Sequence, residues 1–314
     1  MTTKVHMHND TTRRSFLSTS IKTGMALAGL GLLRPVSSAA IEPPKRRGPA
    51  RLALSMAAYS FRQYFTHADA AKCITMFDFI DYCADHGCDG AEVTSYYFPK
   101  DLTTDYLLQV KRHAFLRGID LSGTAVGNNF ALPKGEARDR QIASVKEWID
   151  RSAIMGVPHI RVFAGSAGKL PKDEAKALCI AALEETAEYA GQKGVFLGLE
   201  NHGGIVAEPA DLLEIVRAVK SPWFGINLDT GNFNTDDPYR DLAACAPYSV
   251  NVQFKSEITR RGQKKELADF ARLVDILRQV KYQGYVALEY EAAEDPYQAV
   301  PALLKQMKQL FAAR

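Results

Sequence analysis

Cysteine is scarce in this chain of 314 residues: five in all, an odd number, at Cys73, Cys83, Cys88, Cys179 and Cys245. None of the spacings is that of a zinc site. A chain able to bury a large core has no need of a disulfide framework. Cys83 and Cys88 fall near the end of one expected helix and read as packing residues. Histidine is thin too. From residue 41 onward only His67, His86, His113, His159 and His202 occur, too few for a cluster of several zinc ions. A Gly-rich phosphate loop is missing after the first apolar run, where Ala58-Tyr59-Ser60-Phe61-Arg62 stands instead. That argues against a doubly wound nucleotide fold. Low-complexity segments and any sign of a second domain are absent as well.

A basic excess is lacking, although the formal net charge of +3 suggests one. Residues 1–40 hold five Lys or Arg and the single acid Asp10, which leaves residues 41–314 near −1. Nothing in that balance supports nucleic-acid binding. The basic stretch reads as a targeting signal. Thr12-Arg13-Arg14-Ser15-Phe16-Leu17 is a twin-arginine pattern, the apolar run Gly24–Leu33 follows, and Ser37-Ser38-Ala39-Ala40 offers a cleavage site. The apolar run is short for a bilayer span. Residues 1–40 are therefore expected to be a signal peptide that engages the twin-arginine translocase and sends the protein to the periplasm or outside the cell. A structural helix or membrane anchor is the alternative.

Residues 41–50, with three prolines and Lys45-Arg46-Arg47, read as a linker. Beyond them the pattern alternates. Apolar runs fall at 52–59, 90–95, 120–126, 159–163, 195–200, 224–229, 249–254 and 285–290. Helical stretches fall near 68–86, 104–117, 137–155, 172–193, 209–219, 239–246, 265–280 and 296–312. Glycines stand just past several helix ends, at 87, 118, 156 and 194, as helix termination favours. Eight strand-then-helix units predict a closed (β/α)8 TIM barrel, α/β in class, over residues 51–314 as one domain.

Four consecutive strands deliver a polar group at their C-terminal ends: Leu197-Gly198-Leu199-Glu200, Phe224-Gly225-Ile226-Asn227-Leu228-Asp229, Val250-Asn251-Val252-Gln253 and Tyr285-Val286-Ala287-Leu288-Glu289. In such a barrel these ends converge on one face, where the chemistry of the fold sits. Three carboxylates and an amide oxygen meeting there form a hard-ligand set for one divalent cation. Mn²⁺ is the expected ion, with Mg²⁺, Co²⁺ and Zn²⁺ as alternatives. Helix capping or surface charge is the ordinary role of any one such carboxylate; four in register weigh against it.

Other residues join the candidate site. His202, in Glu200-Asn201-His202-Gly203-Gly204, is placed to bind substrate or carry a proton, or else to cap the loop. Lys255 shares a strand face with Gln253 by the period of two, and could hold a substrate oxygen, pair with a carboxylate, or be a rim charge. Glu92 on the second strand and Arg161 on the fourth, beside His159, put polar groups into apolar strands, which is costly unless they are paired or functional. An internal Arg161–Glu92 ion pair is as good a reading as substrate binding. Glu291 repeats the acid of Glu289 past the strand end, and Glu289 is preferred as ligand. Tyr59, with Phe61, Tyr96, Tyr97 and Phe98, either walls a sugar ring or caps the core.

With these pieces assembled, residues 50–312 resemble the xylose isomerase-like barrel superfamily of sugar isomerases, epimerases, inosose dehydratases and hydroxypyruvate isomerases. The matching segments are Gly198-Leu199-Glu200-Asn201, Asn227-Leu228-Asp229-Thr230-Gly231-Asn232, Val252-Gln253-Phe254-Lys255 and Gly284-Tyr285-Val286-Ala287-Leu288-Glu289. The resemblance implies one cation held by Glu200, Asp229, the residue at 253 and Glu289. It departs at Gln253, where ketose epimerases of the family carry histidine. The expected activity is a metal-dependent sugar isomerase or epimerase acting on a non-phosphorylated sugar or keto-sugar. Glu200 and Glu289 would serve as the two catalytic carboxylates. Two alternatives stay open: β-elimination from a 3-keto-glycoside, of the lyase or hydrolase kind, and a sugar-binding barrel without catalysis. A phosphodiesterase of the endonuclease IV type shares the fold but needs more histidines. A homo-oligomer remains possible.

Overall fold

The structure, a computed structural model, describes residues 41–313. The expected targeting segment, residues 1–40, lies outside the described residues. The strands are β1 (Arg51–Ala57), β2 (Gly90–Glu92), β3 (Asp120–Ala125), β4 (His159–Val162), β5 (Phe196–Glu200), β6 (Phe224–Asp229), β7 (Ser249–Phe254), β8 (Glu257–Thr259), β9 (Lys265–Leu267) and β10 (Gln283–Leu288). Eight of them close into a parallel barrel in the order β1-β10-β7-β6-β5-β4-β3-β2. The seam between first and last strand runs from Arg51 opposite Gln283 to Met56 opposite Leu288. β8 and β9 stand apart as an antiparallel hairpin.

Between the strands lie α1 (Arg62–Phe65), α2 (Met76–Asp85), α3 (Thr104–Leu116), α4 (Glu136–Met155), α5 (Lys172–Lys193), α6 (Pro209–Ala218), α7 (Pro238–Cys245), α8 (Phe270–Gln279) and α9 (Pro296–Ala312). Their starts are written in the sequence. Asp237 and Asp295 cap α7 and α9 with a proline at the first helical position, where its missing N–H costs nothing. Gly156 and Gly194 end α4 and α5 in the left-handed conformation, at φ of 79° and 73°.

Two helices are shorter than their sequence signal. The stretch 68–86 holds a short 3-10 turn at Ala70–Lys72 and becomes α-helical only at Met76, because Thr75 and Asp78 form a reciprocal capping box that fixes the start there. The stretch 265–280 begins at Phe270, capped by Asp269. Its first residues instead form β9 and pair with β8.

Strand alternation sorts the side chains. Leu54, Met56, Ile160, Val162, Leu197, Leu199, Ile226, Leu228, Val252, Phe254, Val286 and Leu288 are buried and share the parity that faces the helices. The opposite parity carries Ser55, Glu92, His159, Arg161, Glu200, Asn227, Asp229, Asn251 and Gln253, which are buried as well. The barrel interior is thus polar where branched aliphatics usually fill it. Residues 41–50 run along the N-terminal ends of the strands: Gln283 donates to the carbonyls of Arg47 and Pro49 at 2.6 and 2.9 Å, and Arg46 lies over the Tyr282 ring at 5.0 Å. All five cysteines are free thiols.

Candidate active site

The deepest polar layer is a closed ring of hydrogen bonds. Gln253 donates to Glu92 at 2.6 Å, and its own oxygen accepts from Asn227 at 2.7 Å. Asn227 in turn accepts from Asn251 at 2.8 Å, and Asn251 also donates to the second oxygen of Glu92 at 3.0 Å. Burial pushes Glu92 up to about 7, with Glu289 adding to it and the donors of Asn251 and Gln253 opposing. Beside this ring His159 is buried with neither ring nitrogen bonded. Burial, helped by Arg161, lowers it to about 3, so it is neutral. Gly198 makes room for it: a Cβ there would lie 2.3 Å from His159 Nε2.

One layer up, at the strand ends, sit the carboxylates. Arg161 Nε is 2.8 Å from Glu200 Oε2, both groups buried. Arg161 also donates to the Val126 carbonyl at 3.1 Å and lies 4.0 Å over the Phe163 ring. Asn232 donates to the other oxygen of Glu200 at 2.7 Å. Burial disfavours the arginine's charge, but the Glu200 carboxylate together with Tyr96 and Glu289 holds Arg161 above its ordinary range. Glu200 itself is pushed up to about 7 by burial, against the pull of Arg161.

Asp229 is held by its neighbours on both sides. Asn201 accepts from its backbone N–H at 2.9 Å and donates to its carbonyl at 2.8 Å. This two-point clamp fixes the end of β6 against that of β5. Asp229 Oδ1 accepts from Gly231 N at 2.8 Å, and Oδ2 faces Lys255 Nζ at 3.3 Å. Burial raises Asp229 to about 8, with Lys255 opposing. Lys255 Nζ also lies 3.0 Å from Glu289 Oε1 and 2.8 Å from Glu291 Oε2. Burial works against its charge, yet these carboxylates prevail and keep it well above its usual range. The ammonium borders a cavity of about 220 Å³ lined by Asn232, Glu257, Lys265 and Glu291, which the β8–β9 hairpin edges.

The structure therefore brings Glu200, Asp229, Lys255, Glu289 and Arg161 to one mouth. Glu92 and Gln253 sit below it. Arg161 pairs with Glu200, and Glu92 meets Gln253 and Asn251. His202 is exposed at the rim, its ring 4.5 Å from that of Phe163. Tyr59 is half-buried beneath the Arg62 guanidinium at 5.2 Å. Asn227, Asn251 and Asn232 were not singled out from sequence. The first two were findable: each stands two residues before Asp229 or Gln253, hence on the same strand face.

A divalent cation does not fit this arrangement of donors. The Gln253 amide has its oxygen on Asn227 and its nitrogen on Glu92. The free oxygen of Asp229 and an oxygen of Glu289 converge on Lys255 Nζ, and Glu200 is spent on Arg161 and Asn232. What the mouth offers is carboxylates able to move protons, each fixed by a cation of the chain.

Residues 80–308 match the family described as xylose isomerase-like TIM barrel. No curated protein matches the chain. Among solved structures, D-psicose 3-epimerase of Clostridium cellulolyticum H10, with D-tagatose, superposes at a TM-score of 0.67 and 16% identity. It covers 83% of this chain and 100% of its own. The 3-keto-D-glucoside 4-epimerase of E. coli, in its apo form, gives 0.65 at 19% identity, covering 82% and 100%. IOLI protein, described with a bound zinc atom, gives 0.65 at 17% identity, covering 82% and 96%. At these identities the likeness establishes the fold.

Proposed function

This chain belongs to the xylose isomerase-like TIM barrel family, and from that premise we propose that it is a sugar isomerase or epimerase that moves a proton at a carbon next to a carbonyl. The observation that carries the reading is a pair of buried carboxylates, Glu200 and Glu289, at the same barrel mouth. They leave from β5 and β10, with β6 and β7 between them, so a ring lying across the mouth meets one on each side. The names of the epimerase neighbours support the same class.

The chemistry needs a base, an acid and charge stabilisation. One carboxylate takes the proton from the C–H. The C–H electron pair becomes the C=C bond of an enolate, and the carbonyl pair moves onto oxygen. The opposite carboxylate returns a proton to the other face, or a proton goes back to the neighbouring carbon. Burial keeps Glu200 protonated up to about pH 7, which suits the acid role. Arg161 holds it in place from below.

The substrate class follows from charge. Glu200, Asp229, Glu289 and Glu291 surround the mouth, and its two buried cations are already paired with them. With both buried cations already engaged by carboxylates, the mouth offers a phosphate dianion no unpaired buried cation among the described residues, so the substrate is a neutral sugar or keto-sugar. His202 and Tyr59 stand at the rim as contacts for its outer hydroxyls and ring face. Elimination from a 3-keto-glycoside begins with the same proton abstraction and is the alternative outcome.

The test is a panel of unphosphorylated ketopentoses, ketohexoses and 3-keto-glucosides, followed by chromatography of products. Conversion of one of them to an epimer or isomer, lost in Glu200→Gln and Glu289→Gln, is expected. Conversion of sugar phosphates alone would overturn the substrate class.

A further inference from the structure

We infer that the Lys255 ammonium takes the place of a metal ion in this barrel, so that the site works with a cation built into the chain and excludes divalent ions. The inference deepens the function proposed above and rests on it for the reaction, but its geometry stands independently.

A lysine ammonium has three N–H donors and no acceptor. Here three carboxylates surround it: Glu291 at 2.8 Å and Glu289 at 3.0 Å, with Asp229 Oδ2, which makes no hydrogen bond, at 3.3 Å. Two of them, Asp229 and Glu289, are strand-end acids of the kind that would ligate a hard cation. The lysine is not a loose rim charge that could swing aside. Its backbone N–H donates to Thr230 Oγ1 at 2.9 Å. Its stem lies against Gly231, where a Cβ would come within 2.5 Å of Lys255 Cγ and 2.7 Å of its Cβ. Only glycine at 231 lets the stem pass so close to the turn after β6. With the Gln253 amide committed to Asn227 and Glu92, an incoming ion would have to displace the ammonium and break the polar ring together.

In turnover the same ammonium supplies what a Lewis acid would. Glu291 is the most exposed of the three acids, at 36% of its side chain. Its departure frees one N–H to donate to the substrate carbonyl oxygen as negative charge builds there. The proton removed from carbon goes to a carboxylate, and Lys255 keeps all three of its own.

The test is binding of Mn²⁺ to the full chain, read by electron spin resonance and by metal content after desalting. The unaltered protein is expected to bind no stoichiometric Mn²⁺, to show no rise in Tm when Mn²⁺ is added, and to keep its turnover in chelator. Lys255→Gln removes the ammonium and exposes the carboxylates, so it should take up Mn²⁺ and gain several degrees in Tm from it. If that variant fails to fold, Gly231→Ala tests the same point, because it keeps every charge and displaces the lysine stem. It should acquire Mn²⁺ binding as well. One tightly held Mn²⁺ per unaltered chain would overturn the inference, and so would chelator-sensitive turnover. Absence of any sugar turnover would strike the proposed function instead and leave the Mn²⁺ titrations to decide on Lys255.

Discussion

Replacing Gln253 with methionine separates the two roles open to that residue. Methionine conserves the length and approximate volume of the side chain, so packing changes little. Hydrogen bonding changes a great deal. Glu92 loses its 2.6 Å donor, and Asn227 Nδ2 loses its 2.7 Å acceptor. Both groups stay buried. An unpaired buried polar group costs about 1–3 kcal/mol, more when charged, so the pair should cost about 2–6 kcal/mol. That is a large part of the ~5–15 kcal/mol that holds an ordinary domain folded. The cost should be greater at pH 8 than at pH 6, because Glu92 ionises near 7 and the carboxylate needs its donors most. Urea denaturation followed by circular dichroism at both pH values measures it. A loss under about 0.5 kcal/mol, or one independent of pH, would refute the ring as the reason for Gln253. A metal ligand would instead leave metal-free stability nearly unchanged.

Two more outcomes follow from the same geometry, and a third from the twin-arginine pattern in the sequence. Arg161→Met removes one partner of a buried ion pair and should cost about 3–5 kcal/mol; it should also move the pH profile of turnover to higher pH, since Glu200 loses the charge that lowers it, and an unmoved profile would contradict the pairing. Glu92, Glu200 and Asp229 are raised to about 7, 7 and 8, so the native state holds protons that the unfolded chain releases. Their stability contribution is complete below about pH 4 and is lost as pH rises through 7 to 8, about 3 kcal/mol for Glu92 alone; thermal unfolding between pH 6 and 9 should show a falling Tm, and a rising one would count against these assignments. Arg13→Lys with Arg14→Lys should hold the protein inside its host cell, and fractionation showing undiminished export would point to another route.

The barrel was legible because its signals are local. Strand parity, glycine stops and proline starts all act over a few residues. Two boundaries were not, since a capping box at Thr75 and an N-cap at Asp269 overrode helical periodicity on either side. The site was legible as a list of strand-end acids but not as a set of pairings. Arg161 could have met Glu92 or Glu200, and only the register of β4 against β5 decides for Glu200. The partner of Gln253 was hidden for a similar reason. It comes from β2, which is distant in sequence and lies across the barrel, and no short-range pattern announces such a contact. Lys255 was seen on the right face, yet its three acids come from two other strand ends, Asp229 from β6 and Glu289 with Glu291 from the end of β10.

The most direct test of the central claim is proton exchange at the substrate carbon. The protein is incubated in deuterated water with the sugar it converts, and the product is read by nuclear magnetic resonance. Deuterium should appear at the carbon next to the carbonyl. Glu289→Gln and Glu200→Gln should each slow its appearance by about 10²–10⁴-fold while leaving sugar binding largely intact. Product formed without any deuterium, or exchange untouched by both substitutions, would contradict the two-carboxylate mechanism.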